Sequence, residues 1–127
     1  MTDHRAAGLA EFRAMLPGIL PDSDDAVSLR DGNFAQDLTE LSLDNVFGAL
    51  WARPGLDKRS RSLVTLGVLI ALRASEELKF HFGIALKNGL TVEELAEVVY
   101  HCAGYAGFPA AANSRTVGIE VLPKPTA

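Results

Sequence analysis

Cysteine, tryptophan and methionine are scarce in this chain of 127 residues: one, one and two copies, with three histidines. The lone cysteine, Cys102, excludes an internal disulfide framework, a C-x-x-C redox pair and any zinc site built on several thiolates. Long apolar runs are also missing. The longest mainly apolar stretch, residues 63–72, has ten residues, too few to span a bilayer and suited to a buried helix. No apolar signal core is visible near the N-terminus, so the expectation is a cytoplasmic protein without a membrane partner. Excess charge is small, at −4 with a pI near 5.3, which argues against nucleic acid as a partner. A local cationic site for a small anion remains compatible with it. There is no period-2 strand pattern, no hairpin turn, no phosphate-binding glycine loop, no G-x-S-x-G and no H-E-x-x-H.

What is present is a globular composition, 48% apolar and 22% charged, with helical periodicity cut by proline and glycine. The length suits one domain and is short for two ordinary ones. Residues 5–16 place Leu9, Phe12, Met15 and Leu16 on one face. Pro17-Gly18 ends that helix, and residues 17–31 read as loop. A second helix is expected over 33–51, stopped by Arg53-Pro54-Gly55. Asp57 is a good N-cap for a helix over 58–73, and Ser75 is the expected cap of the next one, which Asn88-Gly89 ends. Thr91 and Glu94 have the capping-box spacing for a helix to about residue 106. Pro109 opens a last helix to about 122. Six helices with short connections predict an all-α fold. The expected organisation is an N-terminal helix and loop over 1–32, a helical domain over 33–122 and a tail over 123–127. Residues 63–72 and 78–86 carry apolar groups on more than one face, more than so short a chain can bury alone, so an oligomer is expected.

Few side chains suit chemistry. His81 lies four residues after Glu77, so the two share a helix face, and the carboxylate would fix the imidazole tautomer and favour its protonated form. That pair suits a proton donor, and equally a structural ion pair. Arg53 is aimed by the Pro54-Gly55 turn; Arg59 and Arg61 open the next helix, where a cation opposes the helix dipole and so points to an acidic partner or ligand. His101 shares a face with Glu94 and Glu97 and reads as a salt-bridged surface histidine or a pocket residue. Tyr105 offers a phenolic hydroxyl. Cys102 falls with Leu95, Val98 and Val99 and reads as a small buried hydrophobe. Trp51 and Phe47 read as core or interface aromatics. The histidines lack metal-site spacing, and no metal is expected.

Three linked blocks carry a resemblance. W-A-R-P-G-L-D before R-S-L-V-T, then E-E-L-K-F-H-F-G-I-A-L-K-N-G-L-T-V-E-E-L-A-E-V, then H-C-A-G-Y-A-G-F-P-A-A resemble the carboxymuconolactone decarboxylase family over residues 34–121. The wider superfamily includes alkylhydroperoxidases with C-x-x-C-x-x-x-H on the helix that here carries His81. Their thiol positions correspond to Ala74 and Glu77, so disulfide exchange by that route is excluded. The resemblance implies an alkylhydroperoxidase-like helical bundle, a trimer or hexamer, and cofactor-free decarboxylation of a carboxylated lactone. On that reading His81, oriented by Glu77, is catalytic, and Arg53, Arg61, Tyr105 and His101 bind substrate. Alternatives are another cofactor-free lyase or isomerase acting on a small acid, or a non-catalytic oligomeric binding protein.

Overall fold

A computed structural model describes residues 4–124 of the chain. Residues 125–127 of the expected tail and 1–3 of the expected N-terminal segment lie outside the described residues. Among the described residues every regular element is helical and there is no strand, as the sequence predicts. The chain divides into two compact units, Met1–Leu56 and Asp57–Ala127.

In the first unit α1 (His4–Met15) packs against a helix that starts as α2 (Leu38–Ser42) and continues as a π-helix (Leu43–Trp51). This second helix begins five residues later than its apolar period suggests. Local side chains hold the preceding segment in a turn. Asp31 accepts from the Asn33 N–H at 2.9 Å, Gln36 accepts from the Gly32 N–H at 3.1 Å, and Ala35 sits at φ +55°. Such bonds offer the backbone an alternative to helix. The wider spiral is closed by the Ala52 N–H donating to the Phe47 carbonyl at 3.2 Å, a five-residue span. Its contact with α1 is made through two glycines. A methyl at Gly48 would overlap the His4 carbonyl, and one at Gly8 would overlap the Leu43 carbonyl. The unit's core is Leu9, Val27 and Leu43, flanked by Phe12, Leu20, Leu29 and Phe47, with Phe12 and Phe47 edge to face at 5.3 Å. Glu40 pairs with Arg5 and accepts from the Leu29 N–H. Burial pushes its pKa up, but these bonds outweigh burial and hold it below the ordinary carboxylate value.

The second unit holds α3 (Lys58–Leu72), α4 (Ser75–Lys87), α5 (Val92–Ala106) and α6 (Phe108–Val121). Asp57 caps α3 by accepting from the Ser60 N–H at 2.6 Å. Thr91 and Glu94 form the expected capping box on α5. Gly89, at φ +103°, ends α4 with two bonds, Leu90 N–H to Ala85 and Gly89 N–H to Leu86, a Schellman closure. Arg73 occupies the same slot after α3 at φ +53°, with Ala74 N–H donating to Leu69 and its own N–H to Ile70. There an arginine takes a conformation that favours glycine. Ser75 departs from its expected role. Ala74 is the N-cap of α4, and the Ser75 hydroxyl instead bonds the Asn113 side chain on α6, at 3.0–3.2 Å.

The core of this unit is Leu66, Ile70, Leu78, Phe82, Ala85, Leu90, Leu95 and Val117, with Val98, Val99 and Cys102 packed against it. Val64, Val68 and Leu72 stay exposed at four-residue spacing along α3, with Phe80 exposed on α4. No helix among the described residues is long and apolar enough to cross a membrane.

Candidate functional site

His81 projects from the second turn of α4 and is half-buried. Burial acts on its imidazole first, disfavouring the charged form, and the Glu77 carboxylate one turn earlier acts in the opposite direction. Burial wins, and His81 titrates below its ordinary value of 6.5. Glu77 favours the imidazolium, as its spacing from His81 suggests, but the burial of the ring outweighs it. An exposed carboxylate acts partly through water, whereas the ring loses its own hydration outright.

A bond absent from the sequence reading holds the end of α4. Asn88 follows His81 by seven residues, two helical turns, and so shares its face. Its amide donates to the Ser62 hydroxyl on α3 at 3.0 Å, and Ser62 is only 1% exposed. The bond ties the C-terminal end of α4 to the first turns of α3. Arg61, the residue before Ser62, is half-buried, and the Thr65 hydroxyl donates to its carbonyl at 2.9 Å. Arg59, which also opens α3, pairs with Glu94, the same carboxylate that closes the α5 capping box. Its partner's titration is lowered by the Thr91 N–H first and by Arg59 next.

Arg53 belongs to the first unit, is exposed, and its N–H donates to Leu50 at 3.1 Å. His101 is exposed, and its ring stacks on Tyr105 with centroids 5.2 Å apart. Tyr105 is itself 86% exposed. Cys102 is partly buried and burial raises its thiol pKa, which keeps it protonated and unreactive. Among the described residues no group of three His, Cys, Asp or Glu side chains is placed to hold a metal ion. Sequence reasoning also passed over a groove of about 410 Å³ between α5 and α6, lined by Phe82, Leu95, Val99, Tyr100, Arg115 and Ile119 among others. His81 and Arg61 do not line it. Asn88 was the legible omission, since its spacing from His81 could have been read as a shared face.

The helical fold, the W-A-R-P-G turn, and His81 and Asn88 on one face of α4 can be set against known proteins. The carboxymuconolactone decarboxylase family profile matches residues 36–120. The chain belongs to the carboxymuconolactone decarboxylase family. A 4-carboxymuconolactone decarboxylase of Acinetobacter baylyi is 40% identical over 90 residues, covering 71% of this chain and 67% of the relative. A nitrosuccinic acid decarboxylase of Metarhizium robertsii is 42% identical over 78 residues, covering 61% of this chain and 54% of the relative. An uncharacterised 15.0 kDa protein of Paracoccus denitrificans is 33% identical over 70 residues. The chain thus spans about two thirds of the first of these relatives and about half of the other two.

Proposed function

We propose that this chain is a cofactor-free carboxy-lyase acting on a small carboxylated acid in aromatic-compound breakdown, with 4-carboxymuconolactone the first substrate to test. The observation that supports this reading is His81 held half-buried beside Glu77 in a chain of the carboxymuconolactone decarboxylase family. In this lactone the departing carboxylate sits on the γ-carbon. Its C–C bond breaks, carbon dioxide leaves, and the electron pair passes through the ring double bond into the lactone carbonyl. The substrate is its own electron sink, so no cofactor is called for. The resulting dienolate takes a proton at its α-carbon, and His81 supplies that proton. Arg53 and Arg61 hold anionic groups of the substrate, each as a bidentate partner for a carboxylate. Tyr105 contributes a further polar contact. A partly dry surrounding favours loss of a carboxylate whose charge disperses as carbon dioxide forms.

His81 must be charged before it can donate. Burial disfavours that form in the free protein, and a bound polyanionic substrate favours it again by direct attraction. Subunit association accounts for the exposed apolar row Val64, Val68 and Leu72 on α3, and we propose a trimer or hexamer in the cytoplasm.

A second acid is favoured by one observation: the nitrosuccinic acid decarboxylase is 42% identical. Nitrosuccinate also loses a carboxylate from a carbon attached to an acceptor, its nitro group, which takes the electron pair as a nitronate. The test is ultraviolet-monitored turnover of both acids by chelator-treated protein, with His81→Ala alongside. Turnover by the wild type and not by the variant supports the reading; no turnover of either acid by the wild type overturns it.

A further inference from the structure

We propose that the groove between α5 and α6 binds a free aliphatic monocarboxylate, its chain lying along the groove and its carboxylate held by Arg115 and Tyr100. This is a second site, apart from the one built on His81, which does not line the groove. Each wall is a helical stripe. Val92, Leu95, Ala96 and Val99 supply the α5 side at the i, i+3, i+4, i+7 spacing of one helix face, and Gly118, Ile119 and Leu122 supply the α6 side. The buried ring of Phe82 on α4 lies against Gly118: a methyl added there would stand 3.7 Å from that ring and 3.5 Å from Leu122. The space left open is about 410 Å³, within the range of small-molecule pockets. Walls of this composition gain from an apolar chain that displaces water from them.

Length and charge narrow the ligand. The lining runs over 92–100 on α5 and 114–122 on α6, about 12 Å of helix axis on each side. An extended chain advances about 1.3 Å per C–C bond, so about nine bonds, those of decanoate, cover that span. The charged side chains that line the groove, Arg115 and Lys124, are both cations, and no acidic side chain among the described residues lines it. Glu120, next to the α6 wall, faces Lys79 on α4 at 3.5 Å instead. Tyr100 and Arg115 lie at nearly equal sequence distance either side of Gly107, which joins the two helices, so they belong to one end of the groove. There a planar fork and a phenolic hydroxyl match a single carboxylate. Lys124 stands past α6 at the opposite end and offers a point charge alone. Ser114 adds no donor, because its hydroxyl donates to the Ala111 carbonyl at 2.7 Å.

The test is calorimetric titration of the full chain with hexanoate, octanoate, decanoate and dodecanoate, each below its micelle concentration. Affinity should rise about 10-fold for each added pair of methylenes up to decanoate, and by less than about 3-fold from decanoate to dodecanoate, whose end overhangs the groove. Arg115→Gln should weaken octanoate about 5–10-fold and leave 1-octanol within about 2-fold. Ala96→Leu, which puts a larger side chain into the trough, should weaken decanoate by about 10-fold or more. Gly118→Ala fits at ordinary contact distance and favours the helix, so its melting temperature should not fall while decanoate binds less tightly. His81→Ala should bind decanoate as the wild type does, whatever the outcome for decarboxylation. Absence of saturable heat with decanoate overturns the site. Equal weakening of octanoate and 1-octanol by Arg115→Gln overturns the carboxylate contact, and loss of binding in His81→Ala places the acid elsewhere. If Ala96→Leu lowers the mass of the assembly by light scattering and decanoate has no effect on that mass, a second copy of the chain covers the groove and the proposal fails.

Discussion

Two histidines in the second unit sit in similar sequence settings and end in different physical ones. His81 on α4 has Glu77 four residues before it, and His101 on α5 has Tyr105 four residues after it. Each therefore has a partner one turn away on its own helix. His81 on α4 is half-buried, and it loses enough water for its titration to fall against the pull of a carboxylate. His101 faces outward and leans on an aromatic ring that is itself in water. The i,i+4 partner does not decide which imidazole is placed for chemistry. Burial does, because it determines how much solvent remains around the ring.

The sharpest way to break this comparison is to remove each ring in turn. His81→Ala should lower kcat by about 10²–10⁴-fold, the usual span for a positioned proton donor, while KM changes by less than about 3-fold. Parallel losses in kcat and in substrate affinity would show instead that His81 holds the substrate. Thermal melting of the variant checks that the fold is kept, since loss of a half-buried ring is tolerated far better than loss of a core residue such as Phe82, which is 1% exposed.

The next largest effect concerns Glu77. Its charge is the influence raising His81 against burial, so Glu77→Gln should depress the imidazole further. A smaller fraction of His81 is then charged near neutral pH, and kcat/KM there should drop by about 5–10-fold. The acidic plateau should stay close to that of the wild type, with the falling limb moved to lower pH. A uniform drop across the whole profile would mean that Glu77 acts through structure alone.

The pH profile of the wild type sharpens the same point with a smaller effect. The donor must be protonated, so activity is present below the His81 pKa and is lost as pH rises through it. Because that pKa is lowered from 6.5, the descending limb of kcat/KM, which reports the free enzyme, should have its midpoint below 6.5. The limb of kcat reports the complex, in which substrate carboxylates draw the proton back, and its midpoint should lie higher by about one pH unit. Coincident midpoints would show that no substrate charge approaches His81.

The parts of the fold that were legible in sequence are those written in local chemistry. Asp57 before α3, the Thr91–Glu94 box before α5 and Gly89 after α4 each satisfy backbone groups within a few residues. What was not legible depends on distant partners. Ser75 has the composition of a cap, yet its hydroxyl is drawn to Asn113. The π-helical turn over Leu43–Trp51 accompanies a close approach at Gly8 and Gly48 that involves α1, a separate stretch of sequence. In the candidate site, His81 and Glu77 could be paired by spacing alone. The balance between burial and charge on His81 could not be read, and neither could the Asn88–Ser62 tie, because both depend on tertiary packing rather than on spacing.

The smallest expected effect belongs to His101. If its contribution is the stacked surface it forms with Tyr105, at 5.2 Å between centroids, then an aromatic that cannot titrate should replace it. His101→Phe should keep kcat and kcat/KM within about 2-fold of the wild type at every pH, since exposed rings contribute little to a buried reaction. His101→Ala, which also removes the stack, should differ from it only slightly, and mainly in melting temperature. A change in the shape of the pH profile in the phenylalanine variant would break the comparison from the other side. It would place a second titrating imidazole in the reaction, and assembly with another copy of the chain would then be the route by which an exposed ring on α5 becomes as dry as the one on α4.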